Sequence, residues 1–147
     1  SYRLGNMNVQ SSATLSYWTT NIEAEEAPQY GEVFDMNSTL NYDWIKTGIV
    51  FNINHRYVGE QPIYRLENEE VQVRTIESYQ MVDASLSRAF WKNQLNITLG
   101  VRNLTDVRNT QVSGGSAGGA HSPVGRNMIS PGRSYFAAIS LSLGNNP

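Results

Sequence analysis

The chain has 147 residues, of which 16% are charged, a net charge of -2 and no cysteine. The length suits one domain, the near-neutral balance gives no electrostatic footprint for nucleic acid, and the missing cysteines exclude disulfides, thiol nucleophiles and cysteine zinc sites. No apolar run approaches the ~20 residues that a transmembrane helix needs, but membrane-barrel strands give a far weaker hydropathy signal and stay open as a reading.

Taken in chain order, six segments alternate apolar and polar residues with period two, the mark of a strand with two unlike faces. The first covers 8–20, with Val9, Ser11, Ala13, Leu15 and Tyr17 on one face. The second, 33–42, sets Phe34, Met36, Ser38 and Leu40 against Asp35, Asn37, Thr39 and Asn41. The third, 45–58, sets Ile45, Ile49, Phe51, Ile53 and Tyr57 against Lys46, Asn52, Asn54 and Arg56. The fourth, 80–90, sets Val82, Ala84, Leu86 and Phe90 against Asp83, Ser85 and Ser87. The fifth, 94–104, sets Leu95, Ile97, Leu99 and Val101 against Asn96, Thr98, Gly100 and Arg102. The sixth, "RSYFAAISLSL", sets Tyr135, Ala137, Ile139, Leu141 and Leu143 against Ser134, Ser140 and Ser142.

No segment shows helical spacing, so the expected fold is an all-β antiparallel meander of six long strands. Tight joins fall at Asp43-Trp44 and at Trp91-Lys92-Asn93, whereas the links 21–32, 59–78 and 105–132 are long. In a meander alternate links lie at opposite ends, so one end is trimmed and the other carries large loops, as in outer-membrane barrels. The runs exceed the usual ~5–6 residues of soluble strands and match the ~9–11 that a tilted membrane strand needs. Aromatics cluster near the run ends (Tyr17, Trp18, Phe34, Tyr42, Trp44, Tyr57, Tyr79, Phe90, Trp91, Tyr135) as interfacial girdles would. On this reading the apolar phase faces lipid. The polar phase, with Asp35, Asp83, Arg56, Arg102 and Lys46, faces a wet lumen.

Three stretches carry a family resemblance. "LGVRNLTDVRNT" resembles the penultimate strand of TonB-dependent outer-membrane receptors, through Gly100, Val101, Asn103, Leu104 and Asp106. "PGRSYFAAISLSL" resembles their last strand, through Pro131, Gly132, Arg133, Tyr135 and Phe136. "LNYDWIKTGIVFNINHRYVGEQ" resembles the preceding hairpin and ends in a Y-x-G element at 57–59. The order and spacing agree. The resemblance implies that residues 1–147 are the C-terminal part of one barrel domain, the last six strands of about 22, with the plug domain and earlier strands outside this chain. It implies energised nutrient uptake at the bacterial outer membrane, with siderophore-iron, haem, cobalamin or a similar small molecule as cargo. The implied partners are the lipid bilayer, the plug, the remaining strands and TonB. No catalysis, resident cofactor or metal is expected.

Individual chemical candidates are weaker. The glycine-rich stretch 114–126 lacks the following helix that a phosphate cradle requires and reads as a long external loop. His121, Ser122 and Asp106 supply the residue types of a triad, but nothing in the sequence positions them together. His55 falls on the outward phase, where an interfacial position is the simpler reading. Tyr64, Arg65, His121 and Arg126 are the candidates for cargo contact, because planar and anionic ligands suit tyrosine and arginine. Two other readings belong to different classes: a soluble all-β binding module with the apolar face as its core, and an envelope protein that closes a barrel from several copies.

Overall fold

The computed structural model describes residues 1–19, 30–67, 70–113 and 126–142. These form eleven strands: β1 (Tyr2–Leu4), β2 (Met7–Thr19), β3 (Tyr30–Trp44), β4 (Ile49–Val58), β5 (Gln61–Glu67), β6 (Glu70–Ile76), β7 (Tyr79–Phe90), β8 (Leu95–Arg102), β9 (Asn109–Ser113), β10 (Arg126–Met128) and β11 (Ser134–Leu141). No helix occurs among the described residues. The long strands lie in one antiparallel sheet, ordered β1-β2-β3-β4-β7-β8-β11, and the others in a second sheet, ordered β10-β9-β6-β5.

The expected meander of six long strands is present as β2, β3, β4, β7, β8 and β11, each next to its predecessor in that series. Period two sorts their side chains as the alternation requires. One row across the sheet reads Tyr2, Val9, Leu40, Ile53, Ala84, Val101, Tyr135. The next row on the same face reads Met7, Tyr42, Phe51, Leu86, Leu99, Ala137. The row between them, on the other face, reads Asn8, Asn41, Asn52, Ser85, Gly100, Phe136. A one-residue slip anywhere would exchange the two sets, so the pattern itself fixes the register.

Among the described residues no second layer covers the apolar face. Among the described residues the buried apolar side chains are only Val33 and Val58, while Leu99 is 55% and Ile139 73% exposed. A soluble domain of this size packs its apolar faces together around a core. Here Phe34, Ile53, Leu86 and Leu141 also stand exposed.

Several details differ from the sequence reading. The join expected at Asp43-Trp44 lies at 45–48, beyond the Trp44–Ile49 pair, and Gly48 turns with φ 65°. Ile45 and Lys46 keep the alternation in phase, which hides the turn. Lys46 is therefore an exposed turn residue and not a lumen-phase strand residue. A further short strand, β1, precedes the first expected run, joined to β2 through Gly5 at φ 56°. The links 59–78 and 105–132 are not plain loops, since they contain β5 and β6, and β9 and β10. Val71 and Val73 alternate with Gln72 and Arg74 in β6, a short period-two signal that its place between long runs obscures. The link 21–32 overlaps the start of β3, and residues 20–29 lie outside the described residues.

The short connections all fall at one end of the large sheet, and the second sheet extends from the other. Gly59 marks the passage between them. Its N–H donates to Phe34 O at 2.8 Å, and a Cβ there would sit 2.7 Å from the same oxygen. The Y-x-G element thus ends β4 where backbone lies directly against backbone, a contact that only glycine permits.

Candidate functional site

The residues singled out by motif converge at the loop end, between β8 and β11. Asn103 follows β8 with φ 54°, a left-handed conformation that asparagine tolerates better than most residues. It is only 4% exposed. Its Oδ1 accepts from Val107 N–H at 3.0 Å and from Thr105 Oγ1 at 3.2 Å. Its Nδ2 donates to Val107 O at 2.7 Å and to Ser130 Oγ at 3.2 Å. Its backbone N–H donates to Asp83 Oδ1 at 2.7 Å. One buried amide therefore ties the chain after β8 to β7 and to the segment before β11.

Asp106 forms the second half of this knot, also left-handed at φ 56°. Its Oδ1 accepts from Arg133 N–H at 2.8 Å and pairs with Arg108 Nε at 3.3 Å. Those donors, the Arg133 amide first and the Arg108 side chain second, hold its carboxyl below the ordinary value of 3.8. Arg133 bends back so that its guanidinium donates to Leu104 O at 2.6 and 3.1 Å. Gly132 sits inside the knot at φ 100°, where a Cβ would lie 2.7 Å from Arg108 Nε and 2.8 Å from Asp106 Oδ1. Phe136 covers Gly100, and Arg102 stacks on the Phe136 ring with its guanidinium carbon 5.1 Å from the centroid. The motif residues act together as a clamp on loop geometry. Asp106 serves the clamp, and its triad candidates His121 and Ser122 lie outside the described residues.

The sequence reading missed Asp83 and Ser130 as partners of this clamp. Their bonds to Asn103 span 20 and 27 residues. The turn signal "NLTD" marks where the chain bends, but not what it bends onto.

The polar face of the large sheet is a hydrogen-bonded amide ladder. Asn52 Nδ2 donates to Asn41 Oδ1 at 2.6 Å, Asn54 Nδ2 to Asn52 Oδ1 at 2.7 Å, and Thr39 Oγ1 to Asn54 Oδ1 at 2.8 Å. Asp35, Arg56, Asp83 and Arg102 share this face, as their phase requires. Asn52, Asn54, Asp83, Arg102 and Phe136 line a shallow hollow in it. Asp35 and Asp83 lie two strands apart and four residues out of register, roughly 16 Å by strand geometry. That exceeds the ~5–9.5 Å of glycosidase carboxylate pairs. His55 faces the opposite, apolar side, as its phase predicted, with Nε2 3.2 Å from Gln80 Oε1.

Strand order places Tyr64 and Arg65 on one strand and Arg126 on another. Tyr64 and Arg65 lie on β5, opposite Val73 and Gln72, and Tyr64 is half-buried. Arg126 lies on β10, opposite Gln111. β5 and β10 are the two outer strands of the second sheet, three strand spacings or about 14 Å apart. His121, and with it most of the glycine-rich stretch, lies outside the described residues. Among the described residues no three histidine, aspartate or glutamate side chains gather as a metal site.

No protein-family model, no curated protein and no solved structure matches this chain.

Proposed function

We propose that this chain is a stretch of the wall of an outer-membrane β-barrel of the TonB-dependent receptor kind, serving uptake of a scarce nutrient. One observation carries the reading. Among the described residues a seven-stranded sheet leaves its apolar face uncovered, while its other face holds an amide ladder with Asp35, Arg56, Asp83 and Arg102. Lipid outside and water inside is the environment that suits such a sheet. The ten-residue β4 spans about 33 Å extended, or roughly 23 Å at a tilt of 45°. That matches an apolar band about 25 Å tall.

The edges are consistent with this. β1 and β11 bound the sheet, and each leaves one row of backbone groups with no strand beside it among the described residues. In hydrocarbon such groups must be paired, so the wall is completed by further strands. On this reading the second sheet stands outside the cell, where its loops meet cargo. The polar face surrounds a plug, and energy arrives through TonB. The chain makes no bonds of its own, and its residues shape and hold the external loops.

The test is the behaviour of the native protein in and out of detergent. The reading expects extraction only with detergent and a folded form that runs differently from the boiled form on a gel. A monodisperse monomer in plain buffer that unfolds cooperatively overturns it, and makes the apolar face the core of a soluble module. An intact mass near 16.4 kDa with a stable oligomer would instead close the edges with further copies.

A further inference from the structure

We propose that the short-turn end of the apolar face seats the phosphate of an anionic phospholipid, held by Arg88, Lys46 and Lys92. This rests on the lipid-facing reading above and specifies what that face binds at one rim.

Arg88 and Glu32 are the formally charged residues on the apolar face of the large sheet, and they sit at opposite ends of it. Arg88 lies in a row between Ile49 and Ile97, two residues from the Phe90–Leu95 pair that closes the last short turn. Its side chain is exposed, and its guanidinium carbon stacks 5.0 Å from the Phe90 ring centroid, on the turn side. A cation placed there on a long stem reaches for the interface and keeps its stem on apolar surface.

The surroundings repeat the same sign. The chain has two lysines, and both occupy short turns: Lys46 in 45–48 and Lys92 in 91–94. Those turns border β4 and β7, which are neighbours in the sheet, so they lie two strand spacings apart, about 10 Å. All carboxylates of the chain except Asp43 belong to the loop-side half or to the long links. Asp43 itself faces the polar side, in the row of Val50 and Ser87. Trp44 stands exposed in the same row as Ile49, Arg88 and Ile97, and Trp91 stands exposed in the turn 91–94 itself. Toward the rim the aliphatic rows reach one that holds Trp44 and Arg88 together, then Phe90 and Leu95, then the turns with Trp91 and the two lysines. A phospholipid offers the complement, acyl chains along the apolar wall and a phosphate where the cations reach the rim. A protein partner would not need that vertical sequence.

The experiment reconstitutes the native protein, with every tryptophan except Trp44 and Trp91 replaced by Phe, into phosphatidylcholine bilayers. These carry bromine-labelled chains on either phosphatidylglycerol or phosphatidylcholine, and quenching of Trp44 and Trp91 is read. The expected result is stronger quenching by the anionic lipid at equal mole fraction. The preference should fall about fivefold per charge removed in R88Q, K46Q and K92Q, and survive in R88K. Both turn lysines are exposed, so their variants test the seat without burdening the fold. Equal quenching by the two lipids, or a preference unchanged in the triple variant, overturns the phosphate seat and leaves the lipid-facing wall standing. Absence of quenching by either lipid overturns both, because another surface then covers this face.

Discussion

The two ends of the large sheet reverse the chain by opposite means. At the short-turn end each reversal is local. The turn 45–48 is closed by N–H donors of Thr47 and Gly48 to Trp44 O, both at 3.0 Å. The turn 91–94 holds Trp91, Lys92 and Asn93 at φ 50°, 55° and 68°, three left-handed residues in succession without a glycine. At the loop end the chain travels far and is pinned by side chains distant in sequence: Asp83 to Asn103, Asn103 to Ser130, Arg133 to Leu104. The difference teaches where each end stores its order. The turn end is set by adjacent backbone and tolerates strain. The loop end is set by a buried amide and a carboxylate, and loses its shape if either is removed.

This contrast can be broken most directly at Asn103. N103A removes four side-chain hydrogen bonds and leaves buried donors and acceptors unmet, for an expected loss of about 3 kcal/mol or more. The lost stability should appear as a lower urea midpoint for the reconstituted protein and as faster amide exchange confined to 103–108. G132A comes next, since it combines a left-handed φ with a Cβ driven into Asp106 and Arg108. About 2 kcal/mol is expected by the same measurement. Exchange at Lys46 and Lys92 amides should be untouched by both. If these turns loosen equally, the two ends are not independent.

Acid sharpens the comparison at Asp106. Its folded pKa is depressed, so its contribution is full above the ordinary value of 3.8 and is lost as pH falls through the lower folded value. The Arg133 amide resonance should follow that step, while turn-end amides should not, and D106N should abolish it. The smallest effect has the opposite sign. K92G relieves a left-handed lysine at the other end and should raise the urea midpoint by about 1 kcal/mol equivalent. A loss of stability there would mean that the turn is held by more than its own backbone.

The same contrast explains what the amino-acid order revealed. Strand phase was legible because each face has one chemistry: Leu95, Ile97, Leu99 and Val101 lie on one side and their alternates on the other. The turn at 45–48 was misplaced by two residues because Ile45 and Lys46 continue the alternation. β1 escaped notice because three residues cannot display a period. Asn103, Asp106, Gly132 and Arg133 stood out as motif residues, but their partners Asp83 and Ser130 are chosen by tertiary proximity alone. Tyr64 and Arg126 share a plausible chemistry for cargo, yet strand order sets them on opposite edges of the second sheet.

The register of β4 on β7 has a practical side. Ten residue pairs, from Ile49–Arg88 to Val58–Tyr79, hold these strands together before the hairpin of β5 and β6 is counted. Gly59 fastens the exit of β4 to Phe34 and not to the hairpin. The segment 61–76 pairs with β9 in the second sheet and not with the large one, so exchanging it would spare the pairing of the large sheet. A foreign peptide or an affinity tag could be spliced between Glu60 and Glu77 and carried by a large sheet whose pairing it does not touch.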